Sequence, residues 1–169
     1  MTRIYKVRKA FLIPLIITSS LLAVLLVVSF FYGASWEKAI LALLCVVSLL
    51  VAVEASEREF SVSEDTIAIR KFFRQKKFTW TEITHLGVVT LSNKAYFLVT
   101  TTRGFYIFSN LIEDHESLLG YLAGKLGAEK VEPEITSYLE APLQRTSLIV
   151  LNWIAAVIIA AIIATKLLA

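Results

Sequence analysis

Of 169 residues, only Cys45 is a cysteine and only His85 and His115 are histidines. A lone thiol excludes a disulfide framework and a thiol metal site. Its place within an apolar run suits a small buried residue. The two histidines stand 30 positions apart, outside any spacing known for metal ligation. H-E-x-x-H, G-x-S-x-G, the P-loop and G-x-G-x-x-G are all missing. Nucleophile, general base, metal and cofactor therefore have no signature, and the chain reads as non-enzymatic with no cofactor. Charge is missing too, from residues 10–36, 39–53 and 146–165. With no acid or base deep in these stretches, an ion pathway built by this chain alone is disfavoured.

What is present is an apolar excess. Hydrophobic residues make up 57% of the chain, above the 45–50% usual for soluble domains. The three uncharged stretches account for the surplus. Roughly 20 helical residues cross a ~30 Å hydrocarbon core, and the first and third stretches meet that length. The second has 15 uncharged residues. It spans only if Trp36, Lys38 and Glu54 occupy the headgroup layers, and the alternative is a re-entrant or interfacial segment. The first stretch exceeds a signal-peptide core and reads as a retained anchor. Arg3, Lys6, Arg8 and Lys9 precede it with no acid among them, and Arg58, Arg70, Lys71 and Arg74 follow the second stretch. Only Lys166 lies beyond the third. The positive-inside rule then places the N-terminus and the central region in the cytoplasm and the C-terminus outside, periplasmic or extracellular. The expected organisation is a basic N-terminus (1–9), a two-helix transmembrane hairpin (10–54), a soluble domain (55–127), a linker (128–145) and a third transmembrane helix (146–166).

The central region is patterned for strands. Short runs rich in β-branched and aromatic residues cover 59–63, 66–73, 76–80, 83–91, 95–101 and 105–108, with turns at Ser63-Glu64-Asp65, Arg74-Gln75, Ser92-Asn93-Lys94 and Arg103-Gly104. Short strands joined by tight turns predict an antiparallel meander. A helix follows, with Asp114 or Asn110 as N-cap, Leu118, Leu122 and Leu126 on one face, and Gly127 as C-cap. Gly120 and Gly124 weaken it by about 1 kcal/mol each unless a close neighbour offsets them. Residues 54–145 carry 11 bases and 13 acids, which argues against nucleic acid as a partner.

Residues 60–127 resemble the bacterial pleckstrin-homology-like (PH-like) domains of small membrane proteins. The resemblance is carried by REFSVSEDTIAIRKFFRQKKFTWTEIT, with its Trp80-x-x-Ile83 step, and by TTRGFYIFSNLIEDHESLLGYLAGKLG. It implies a PH-like antiparallel β-barrel or sandwich with a C-terminal capping helix, inserted here between the second and third transmembrane helices. Phe60, Trp80, Ile83, Leu118 and Leu122 would be its structural anchors. Such domains generally bind or scaffold; the third helix departs from the usual two-span relatives.

Two sets of residues are candidate contacts. Arg70, Lys71, Arg74, Lys76 and Lys77 crowd one hairpin and could meet anionic lipid headgroups or an acidic partner, each base contributing about 1 kcal/mol near an anionic surface. They could equally blunt a strand edge. In the third helix, Asn152, Ala156, Ala160 and Ala164 recur every fourth residue as a candidate packing face, with Asn able to bond across it. The recipient could be the chain's own spans, including Pro14 and Thr18-Ser19-Ser20, another copy or a different membrane protein. The expected role is an interaction, scaffold or assembly subunit at the cytoplasmic face of a bacterial inner membrane. The alternative is an anionic-lipid sensor or lipid-handling accessory.

Overall fold

The computed structural model describes residues 2–72 and 74–168. They divide into two compact units, one formed by the N-terminal segment through Arg8 with Glu57–Arg145, the other by Lys9–Ser56 with the helix after Thr146.

The first unit holds seven strands. β1 (Arg3–Lys6), β2 (Glu59–Val62), β3 (Thr66–Lys71) and β4 (Arg74–Thr79) form a four-stranded antiparallel sheet in that order. β5 (Ile83–Leu91), β6 (Lys94–Thr101) and β7 (Gly104–Ser109) form a three-stranded one. β1 is a correction to the sequence reading, which left residues 1–9 as a basic tail. Arg3 and Lys6 mask an alternation: Tyr5 and Val7 are buried while Ile4 is 57% exposed. Tyr5 lies opposite Phe60 in the β1–β2 register, and Val7 bridges to Ile112. The β3–β4 turn is also displaced from Arg74-Gln75. Lys71 pairs with Arg74, and Phe72 takes φ 44° in the turn. Phe73, expected to end the run 66–73, lies outside the described residues.

Two longer helices complete this unit. α3 (His115–Leu126) buries Leu118, Leu119, Leu122 and Leu126, and ends at Gly127, whose φ 79° and ψ 157° form a backbone conformation that favours glycine. Asp114 holds the N-cap position, but at φ 53° its side chain makes no capping bond. Gly120 and Gly124 have no atom within 4 Å of where a Cβ would stand, so no close neighbour offsets their helix cost. α4 (Pro133–Glu140) lies within residues 128–145, read from sequence as a linker. Pro133 opens it, and Ile135 and Tyr138 bury one face in the shared core. Both sheets contribute to that core, with the Phe60 and Phe97 rings each 4.9 Å from that of Phe108.

The second unit consists of α1 (Lys9–Tyr32), α2 (Ser35–Glu57) and α5 (Ser147–Leu168), all long and apolar enough to cross a membrane. α2 is one continuous helix of 23 residues, or about 34 Å at 1.5 Å per residue, longer than its 15 uncharged positions suggested. In α1, the Thr18 hydroxyl donates to Pro14 O (2.8 Å) and also lies 3.1 Å from Asn152 O of α5. Ser19 Oγ sits 2.7 Å from Ser48 Oγ of α2. Lys166 Nζ lies 2.8 Å from Glu37 Oε2, joining the end of α5 to the start of α2.

The packing face of α5 differs from its alanine stripe. Asn152 and Ala156 lie toward the neighbouring helices, but Ala160 and Ala164 are exposed, and Ile163 is buried instead. Four residues advance about 400° round a helix, so each step of the stripe drifts about 40° away from its starting face. The Asn152 side chain does not bond across the interface: its Nδ2 donates to Leu148 O in its own helix (2.8 Å).

Candidate functional site

Strand alternation sorts the five bases of the β3–β4 hairpin. Side chains two apart share a sheet face. On β3, Lys71 follows the core residues Ile67 and Ile69, while Arg70 points the other way. On β4, Arg74 and Lys76 follow Phe78 in the same manner, leaving Lys77 on the opposite face. Three bases therefore continue the core-facing side of the sheet, and two do not. Arg70 is engaged elsewhere, its guanidinium 2.6 Å from Glu57 Oε2.

The core-facing bases open onto a cleft of about 350 Å³. Lys71, Arg74 and Lys76 line it together with Arg58, which directly precedes β2. Phe60 and Ile69 also line the cleft, and across from the bases stand Phe105, Tyr106 and Ile107 of β7. Among the described residues, no acidic side chain lines the cleft. Lys76 ties the two sides: its Nζ donates to Tyr106 Oη at 3.2 Å and lies 5.3 Å from that ring, which itself packs on Phe78 at 4.7 Å. The result is a cationic rim on an apolar floor, chemistry suited to an anionic group joined to an apolar one. Arg58 and the β7 trio are the residues that sequence reasoning missed. For Arg58 the available signal was parity, since it precedes Phe60 by two.

The remaining perturbed groups belong to the scaffold and do not converge on this cleft. Glu132 accepts from His85 Nε2 (2.8 Å) and from the Val88 amide (3.1 Å), and the histidine bond leads in lowering its pKa. Glycine at position 87 makes room for that carboxylate: a Cβ there would come within 2.6 Å of Glu132 Oε2. The Tyr138 hydroxyl lies 2.8 Å from His115 Nε2 and 3.2 Å from Leu143 O. Burial pushes Tyr138 up to about 12 and lowers His115. The Thr79 amide, donating to Glu82, leads in lowering that carboxylate's pKa. Asn110, fully buried, accepts from the Ala95 amide and donates to Asn93 O and Leu143 O, a clasp across the end of the sheet and not the helix cap considered for it.

Of the expected anchors, Phe60, Ile83, Leu118 and Leu122 are buried in the core. Trp80 is half-buried, donating to Ser63 O at 3.3 Å and packing beside Tyr121. No protein-family model, curated protein or solved structure matches the chain.

Proposed function

We propose that this chain is a membrane-anchored, PH-like binding module, non-catalytic, acting as an interaction, scaffold or assembly subunit at the cytoplasmic face of a bacterial inner membrane. The observation that carries this reading is the cleft. A sheet that turns Lys71, Arg74 and Lys76 toward its core-facing side keeps charge beside apolar surface, an arrangement that a bound partner would stabilise. Two antiparallel sheets followed by a helix with a buried leucine face support the PH-like assignment. Three long apolar helices support the anchor. Anchoring acts by concentration: a module held to the bilayer by short connections meets membrane-bound partners at an effective concentration in the millimolar range. Photo-crosslinking from position 105 in native membranes tests the reading. A discrete heavier species is expected from position 105 and not from position 65, whereas a chain that stays monomeric at both positions refutes the interaction role.

A second reading, anionic-lipid recognition, is favoured by the four bases around an apolar floor. It expects the full chain in nanodiscs to change the environment of Tyr106 when phosphatidylglycerol replaces phosphatidylcholine. An unchanged Tyr106 signal removes it.

A further inference from the structure

β4 ends one sheet and β7 ends the other. Among the described residues β4 pairs only with β3, and β7 only with β6. An antiparallel strand paired on one side leaves the N–H and C=O of every second residue pointing away from the sheet. The two strands meet through their side chains, since Lys76 and Phe78 of β4 both touch Tyr106 of β7. Two cavities of about 350 Å³ each share Lys76 and Tyr106 in their linings, one with Arg58, Lys71 and Arg74, the other with Gln75, Lys77 and Arg103.

The β7 side identifies what the slot admits. Phe105, Tyr106 and Ile107 are consecutive, and all three line the first cavity. Consecutive strand residues point to opposite faces, so three in a row can border one space only if it runs along the strand's edge, where main-chain groups are reached. Phe105 is 67% and Ile107 52% exposed, large apolar side chains on a strand with no lateral partner. A ligand lying here meets strand edge, apolar side chains and bases together.

We infer that β7 accepts an extended segment of a partner protein as a fourth strand of its sheet, and that the segment alternates acidic with apolar residues. Main-chain bonds to the β7 edge supply the pairing. Apolar side chains of the segment cover Phe105 and Ile107, and its carboxylates meet Arg58, Lys71, Arg74 and Lys76. Charge complementarity selects the sequence, and strand addition of this kind draws affinity from the backbone and specificity from alternate side chains. This rests on the interaction role above and names its partner class. The competing account of the same bases is that they guard the edges against pairing.

The test uses the full chain in neutral phosphatidylcholine nanodiscs and an array of fluorescent heptapeptides alternating Asp or Glu with Val, Ile or Phe. Acidic members are expected to bind, and lysine counterparts are not. N-methylating every second peptide amide should abolish binding in one phase and spare it in the other, because only one edge of the peptide faces β7. Amides within residues 105–107 should gain exchange protection. The double variant Arg74→Glu, Lys76→Glu should weaken binding about tenfold or more, a loss of about 1.4 kcal/mol, while Lys94→Glu leaves it unchanged. Indifference to the methylation phase overturns strand addition even if crosslinking finds a partner. Protection of the same amides by phosphatidylglycerol nanodiscs without peptide assigns the slot to lipid and overturns it as well. An array without a single binder leaves edge protection as the role of the bases.

Discussion

The first prediction concerns the N-terminal strand, which makes residues at the front of the chain part of a sheet built mostly from residues 59–79. Lys6 stands opposite Glu59, so a short turn suffices to join residues 2–8 directly to 57–145 without the apolar helices; hairpin loops of 2–5 residues are the norm. In that span-free chain, Tyr5→Ala removes a side chain that is 6% exposed and packs in the core beside Phe60. Truncating a buried aromatic costs about 3–5 kcal/mol, a large part of the ~5–15 kcal/mol that holds a domain together. Ile4→Ala, one residue earlier on the opposite face, should change stability by about 0.5 kcal/mol or less, because Ile4 is exposed. Urea unfolding followed by tryptophan fluorescence reads both, with Trp80 the reporter since Trp36 and Trp153 are absent from this chain. Equal destabilisation by the two substitutions would falsify the register. If residues 57–145 alone prove as stable as the joined chain, β1 contributes nothing and the reasoning fails.

Two further outcomes follow from the same core. Ile135→Ala in α4 should destabilise the unit by about 2–5 kcal/mol, since the side chain is fully buried; a change near zero in the same urea assay would return residues 128–145 to the status of a linker. His115 is held below its ordinary 6.5 by burial, with Arg8 acting the same way and Glu116, Asp114 and the Ile112 main chain opposing. The unfolded chain therefore takes up a proton first, so stability is full above about pH 6.5 and declines as pH falls toward the folded value. Unfolding curves at about pH 7.5 and pH 5 should show this decline and lose most of it in His115→Asn; an imidazole that titrates at or above 6.5 by NMR would contradict the sign.

Local patterns made much of this structure legible. β6 alternates cleanly, the β5–β6 turn falls at Ser92-Asn93 as expected, and α3 announces itself through Leu118, Leu122 and Gly127; the β6–β7 turn falls at Thr102-Arg103, one residue before the expected Arg103-Gly104, because Thr101 pairs with Gly104. What escaped was information carried by distant partners. Residues 3–7 look like a basic flank until Tyr5 is set beside Phe60. Ile135 and Tyr138 are too few to declare an amphipathic helix, and their burial depends on Phe97, whose ring lies 5.1 Å from that of Tyr138. Asp114 has the chemistry of a helix cap, but the Glu113 amide donating to Lys6 O shows that chain entry is set by β1. For the candidate site, the hairpin bases were visible as a cluster, yet their division between two faces follows from a register that turns between Lys71 and Arg74. The β7 wall of the cleft came from the meeting of two sheets, which no local pattern encodes.

The pairing of β1 with β2 has a consequence for how the protein is made. One strand precedes α1 in the chain and the other follows α2, yet Tyr5 and Phe60 are neighbours. Both strands must therefore occupy the same side of any membrane those helices cross. During synthesis β1 emerges first and waits, its partner not yet translated, until the whole helical hairpin has passed. If either helix failed to insert, the bilayer would separate the two strands, and Phe60 and Val62 would be left along a bare edge. Completion of the sheet thus requires that both helices cross or that neither does.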